Sequence, residues 1–592
     1  MKKKFKYLLF ASISGLALTA CTDTWDDHYG QVPDTQYGNA SLYEVLSAQP
    51  ELSDFCRVLD KATLFANSRQ TPITYKELLS ADQFFTVWAP VNGTFNADSL
   101  IELCQTTHGD SLVETQFLLN HIARYAHSFG NTEDTLVIML NGKKLPLSDV
   151  NFGTATALKT NIAARNGVVH MVKTPSTYFN NIYEAMFNLP EFAHMGMFFK
   201  DYEKLTFDES SSLPCGVEDG KTVYIDSVFY KTIFGGFGPI YHEDSLVWML
   251  APTKEVWDPI YEEAKSYYDY SNLAKGDSIT NYLAHYAVMQ DLFFVPKKWR
   301  QKAINDSIVS NSWYGNERGE HYNVYYKPFE PGGIFAQDWK DSVICSNGKI
   351  LVMNSWPFSK EQLYFKPITL PTYAFKGLVG DISDYGGNAK KTKTLNMTWY
   401  TVNNDSVKDG YLSLVPEANT EKYFVEFEIP SVLSGKYDIY VVVLPKSVNP
   451  NNDMGTTTAG IRNKLPNKFT VELYYKGKDN KDYYVESKNR YKFDASTPGY
   501  YEDGKKDTSI PYLFEGNAVD NKGVRDYSSF VNDPLRVDTI KLCTMQFPTC
   551  NYGQTPVTNH LVLINNVKSS EARNYADYMY ISAVLLKPHS DN

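Results

Sequence analysis

One pattern occurs twice in this chain, and it constrains the fold more than any other feature. Residues 85–95 read FTVWAPVNGTF, and RNGVVHMVK follows at 165–173. A worn copy, VWMLAPTKEVW, stands at 247–257 and is answered by SNGKILVMN at 346–354. A period well above 100 residues marks duplicated domains rather than a solenoid. The repeat therefore separates two related modules from a C-terminal third that must fold by other rules.

The correspondence extends between these landmarks. SLYEVLSAQPELSDF at 41–55 aligns without gaps on NIYEAMFNLPEFAHM at 181–195, a shift of 140. Tyr43, Glu44, Pro50 and Glu51 recur as Tyr183, Glu184, Pro190 and Glu191, and apolar positions match apolar positions. Equivalent amphipathic helices are expected at both places. Ala89-Pro90 recurs as Ala251-Pro252 at a shift of 162, which predicts about 22 extra residues in the second copy, in a loop around SSSLPCGVEDG. FLLNHIARY at 117–125 and NYLAHYAVM at 281–289 then read as a helix with a central histidine, His121 in one copy and His285 in the other. Asn166-Gly167 recurs as Asn347-Gly348 at a shift of 181, each a tight-turn signal between apolar runs.

The chain begins with Lys2, Lys3, Lys4 and Lys6, then an apolar stretch from Leu8 to Ala20. That stretch is too short to span a bilayer and fits a secretory signal. It closes Leu18-Thr19-Ala20-Cys21, which resembles a bacterial lipobox and implies that Cys21 is lipidated and becomes the mature N-terminus. Several acyl chains on one residue, palmitate among them, make a stable anchor. Asp23, Asp26 and Asp27 form an acidic tether resembling the export tags of outer-membrane, cell-surface lipoproteins. Loss of the four signal lysines takes the net charge from −11 to about −15, and no dense Lys/Arg run exists, so nucleic acid is not an expected partner.

Forty-three tyrosines and 14% aromatic content suit an extracellular, strand-rich protein. Aromatic faces also stack on sugars, although strand packing is their commoner use. Beyond Cys21 the cysteines are Cys56, Cys104, Cys215, Cys345, Cys543 and Cys550, with no CxxC and no neighbouring histidine, so neither a metal site nor a cofactor is expected. Cys543 and Cys550 either close a small disulfide loop or remain a pair of free buried thiols.

The repeated motifs resemble the fasciclin family. The resemblance rests on the apolar strand into Ala89-Pro90, His121, Asn141-Gly142 and Asn166-Gly167-Val168-Val169-His170. It implies compact domains of mixed helices and a β-wedge, engaged in adhesion or protein association rather than catalysis. It covers 38–176 and, in more divergent form, 178–360. The second copy carries Lys349-Ile350 in place of Val168-Val169 and Leu351 in place of His170. The family's Tyr-His pair, linked to receptor binding in animal members, is Asn120-His121 here and Ala284-His285 in the second copy, so that role is not carried over. His121 and His170 are expected to brace the fold.

Gly109-Asp110-Ser111-Leu112 matches the signature block of an esterase family with a serine nucleophile, but the late Asp-x-x-His of such enzymes is missing around His589. Ser111, with Glu114 three residues on, reads instead as a capping box, repeated in Gly276-Asp277-Ser278-Ile279. No catalytic residue is therefore assigned.

The C-terminal third changes character. A Pro/Gly/Asp-rich linker is expected over 361–394. From 395 to 592 period-two alternation takes over, in YFVEFEI, YDIYVVVL, FTVELYY, VDTIKLCTM, HLVLINNV and YMYISAVLLKP. Such strands predict an antiparallel β-sandwich, similar to the jelly-roll domains of carbohydrate-binding surface proteins. Trp399, Tyr400, Tyr500 and Tyr501 are its candidate sugar-stacking residues.

The expected architecture is thus α+β: a signal peptide at 1–20, a tether at 21–37, two tandem fasciclin-like domains, the linker and the sandwich. The expected function is that of a non-catalytic surface lipoprotein held to the membrane by lipid, an accessory subunit with a protein partner in an outer-membrane importer for glycans. The alternative is a glycan-binding protein whose sandwich holds a polysaccharide.

Overall fold

The computed structural model describes residues 39–66, 69–130, 135–218, 221–231, 237, 240–294, 307–310, 324–371, 395–400, 410–416, 423–488, 512–520, 522–565 and 567–590. Helices and sheets are mixed, and the chain forms two compact units. The first runs to Asn181 and takes in His242–Asp244 and Cys345–Asn347; the second holds the remainder.

In the first unit Leu42–Ser47, the 3-10 turn Pro50–Leu52 and Ser53–Leu59 form a helical corner. Ser41 caps the first helix, accepting from the Glu44 amide while the Glu44 carboxylate accepts from the Ser41 amide. Pro50 enters at the start of the next turn, where its missing N–H costs nothing. Leu42, Leu46, Phe55, Val58 and Leu59 are fully buried, each contributing about 1.5–3 kcal/mol. The second unit repeats the corner as Ile182–Asn188, Pro190–Phe192 and Ala193–Tyr202.

The sheets repeat as well. Phe85–Pro90 lies parallel to Gly167–Val172 and antiparallel to Ile122–Arg124, within a seven-stranded sheet that ends on Thr135–Ile138. Val247–Pro252 lies parallel to Gly348–Met353 and antiparallel to Phe293–Phe294, in a sheet of four strands. The extra residues predicted for the second copy lie not in a loop but in an antiparallel hairpin, Leu205–Glu218 with Lys221–Lys231, longer than the first copy's Thr63–Ala66 with Arg69–Thr74.

The remainder of the second unit carries two larger antiparallel sheets, of seven and five strands, and all six predicted strand runs lie in them. Lys436–Val443 alternates buried Tyr437, Ile439, Val441 and Val443 with half-exposed residues, so one face of its sheet is core. Ile368–Pro371, read from sequence as linker, pairs with Met579–Pro588 instead. Residues 372–394 lie outside the described residues. The loop after the Lys254–Tyr267 helix docks on these sheets: the Tyr267 carbonyl accepts from the Ser434 amide and the Asp269 carbonyl from the Cys550 amide, both at 2.8 Å.

Candidate functional site

The residues singled out in the sequence fall into different settings. Cys21 lies outside the described residues, as do Tyr500, Tyr501 and the side chain of Trp399. Tyr400 is half-exposed and stacks on Tyr411 at 5.2 Å. Cys543 and Cys550 are free buried thiols, and burial pushes the Cys550 thiol up to about 12.

His121 and His170 are both fully buried, and each uses both ring nitrogens. His121 Nδ1 donates to the Phe117 carbonyl at 2.7 Å, and its Nε2 accepts from the Ser176 amide at 2.9 Å. His170 Nε2 donates to the His127 carbonyl at 2.8 Å, and its Nδ1 accepts from the Asn161 amide at 3.0 Å. Such rings are neutral, and burial lowers both pKa values to about 4. Trp88 completes the cluster, stacked on Phe152 at 4.2 Å and near His170 at 5.5 Å.

The histidine correspondence does not hold. His121 stands just past the helical segment, immediately before Ile122–Arg124, not in the middle of a helix. Its carbonyl accepts from the Trp88 amide, and in the second copy the Leu292 carbonyl accepts from the Leu250 amide. Leu292 is therefore the equivalent of His121, and buried Asp291 of buried Asn120; His285 belongs within the Gly276–Met289 helix.

The paired serines are not caps either. Thr106 caps the Thr107–Leu112 helix, inside which Ser111 lies, and the Gly276–Met289 helix has no side-chain cap. Glu114 turns inward, accepting from the Phe65 amide and the Tyr75 hydroxyl. What repeats in the motif is the glycine: a Cβ on Gly109 would lie 2.2 Å from the Leu103 carbonyl oxygen, and one on Gly276 would lie 1.9 Å from that of Tyr270.

Two surfaces bear on function. In the first unit the terminal strand Thr135–Ile138 buries Val137 but leaves Leu136 65% and Ile138 61% exposed, with Val150 and Leu158 also exposed on the same sheet or its turns. In the second unit a cleft of about 420 Å³ is lined by Tyr202, Ser278, Ile279, Tyr282, Leu283 and the Tyr552–Gln554 segment. Ser278 and Tyr282, like Ile279 and Leu283, are one helical turn apart and share a face. The Tyr202 and Tyr282 rings meet at 4.9 Å, and Phe198 backs Tyr282 at 5.8 Å. The Tyr552 carbonyl accepts from the Tyr270 hydroxyl, and its amide donates to Cys550 Sγ. Burial pushes the phenols of Tyr202, Tyr282 and Tyr552 upward, so the lining is uncharged at neutral pH. The sequence signals only part of this cleft, because its walls come from three distant segments.

Among the described residues no group of three or more His, Cys, Asp or Glu side chains could hold a metal ion, and no helix is long and apolar enough to cross a membrane.

No family model and no curated protein matches the sequence. Several solved structures bear some likeness, two of them as follows. A fasciclin domain pair from the insect cell adhesion molecule fasciclin I shares 12% identity, with 47% of this chain and 90% of that one covered and a TM-score of 0.16. A carbohydrate esterase from a Shiga toxin-encoding bacteriophage shares 11%, with 34% and 89% covered and a TM-score of 0.15. Likenesses at such TM-scores carry no argument about what this chain folds into or does.

Proposed function

We propose that the chain is a non-catalytic surface lipoprotein, anchored through Cys21, that acts by protein association as an accessory subunit of an outer-membrane glycan importer. In this reading residues 38–176 and 178–360 are tandem fasciclin-like domains, and the C-terminal sheets form a jelly-roll-like sandwich. The observation that supports association most is the exposure of two apolar side chains, Leu136 and Ile138, on the strand Thr135–Ile138. Apolar side chains exposed together on one strand are a liability that selection removes unless a partner covers them. Affinity purification from native outer membranes in mild detergent tests the reading: an importer should co-purify, and recovery of the chain alone would refute it.

A second reading, glycan binding, is favoured by the tyrosine cleft, to which the C-terminal region contributes Tyr552 and Gln554.

A further inference from the structure

Three tyrosines, a serine and a glutamine converge on one cleft of the second unit. Three features of the cleft specify a ligand class. It presents the rings of Tyr202, Tyr282 and Tyr552 beside Ile279 and Leu283, a surface that stacks against flat apolar faces. It holds no charged side chain, so a charged ligand would be desolvated there without a counter-ion. And among the described residues the hydroxyls of Tyr202, Tyr282 and Ser278 make no hydrogen bond, which leaves donors and acceptors in the cleft for a guest.

We propose that this cleft is a binding subsite for a neutral saccharide, one pyranose or furanose ring stacked among the tyrosines with its hydroxyls on Ser278, Gln554 and the two phenols. A volume of about 420 Å³ lies in the range of small-ligand pockets. Its walls are already set: Phe198 backs Tyr282, and the Tyr270 hydroxyl holds the Tyr552 carbonyl, so little order is lost on binding. The proposal rests on the glycan-binding reading and moves the ligand from the sheets to the junction between Tyr552–Gln554 and the Gly276–Met289 helix.

The test is calorimetric titration of the full chain in detergent with neutral hexasaccharides of glucose, mannose, xylose and fructose. At least one should bind saturably. Tyr202→Ala and Ser278→Ala should each weaken it about tenfold. Ser278→Trp places a bulky group on an exposed helical position without touching the core, and should abolish binding while the unfolding transition is unchanged. Saturable binding that all three variants retain would overturn the cleft assignment and leave the glycan reading standing. No binding of any hexasaccharide at millimolar concentration would overturn both.

Discussion

The carbonyl oxygen of Phe85 occupies the place a side chain on residue 167 would need: a Cβ on Gly167 would stand 2.0 Å from it. Val247 and Gly348 repeat the relationship at 1.7 Å. Both glycines open the strand that pairs in parallel with the Ala-Pro strand, in the register Phe85↔Gly167 and Val247↔Gly348. Buried Asn166 braces the junction, accepting from the Leu42 amide and donating to the carbonyls of Leu79 and Ala81, and Asn347 donates likewise to the His242 carbonyl. Gly167→Ala and Gly348→Ala should each cost about 3 kcal/mol, the first in the unfolding of its own unit and the second in that of the other. Denaturant titration followed by hydrogen exchange in each unit measures this. A change under about 0.5 kcal/mol would contradict the packing described.

Neutral buried histidines make the first unit sensitive to acid. Their folded pKa values, about 4, lie below the unfolded value near 6.5. The unfolded state therefore binds protons first. Stability is full above pH 6.5, erodes as pH falls toward 4 and levels off below, by about 3 kcal/mol at most for each ring. His170→Asn should flatten that slope, and the difference between variant and native separates the ring from the carboxylates. Equal slopes would contradict the assignment.

Lys143, 2% exposed, donates to Glu243 at 2.6 Å and to the Ser346 hydroxyl at 3.1 Å, and stands over the Tyr178 ring. Lys143→Ala strands a carboxylate that is mostly buried and should destabilise the first unit by about 3–5 kcal/mol. Lys143→Met combined with Glu243→Gln should recover most of that loss. Thermal unfolding of the single and double variants shows whether the pair is coupled.

Cys543 and Cys550 should resist maleimide in the native protein and label fully in denaturant with no reductant added. Peptide mapping distinguishes this from a disulfide, which would label only after reduction.

How much of this could be read in the sequence depends on how local each signal is. The helix–proline–helix corner was legible twice because Ser41, Glu44 and Pro50 act within one or two turns. Lys436–Val443 was legible because its alternation reports one buried face, while Phe424–Glu428 and His560–Asn565 bury consecutive residues and show in the sequence as apolar runs. The histidine correspondence failed because equivalence is fixed by backbone pairing, Trp88 to His121 and Leu250 to Leu292, and not by residue type. The glycines were recognised but misread as turn residues. In the first copy the two-residue turn is Arg165-Asn166, and Gly167 already belongs to the next strand, where a carbonyl from a residue 82 positions away excludes a side chain. Of the tyrosine cleft only Ser278 and Ile279 lay in a motif, since its three segments meet only in the fold.

Association through Leu136 and Ile138 of the first unit is tested by one comparison. The native chain and Leu136→Glu/Ile138→Glu are purified by affinity tag from outer membranes in mild detergent and their companions identified by mass. Both residues are exposed, so the variant should fold as the native chain does. The native chain should bring down an importer, and the double variant should lose it. A native chain that emerges alone, or a variant that keeps its partner, would contradict that association.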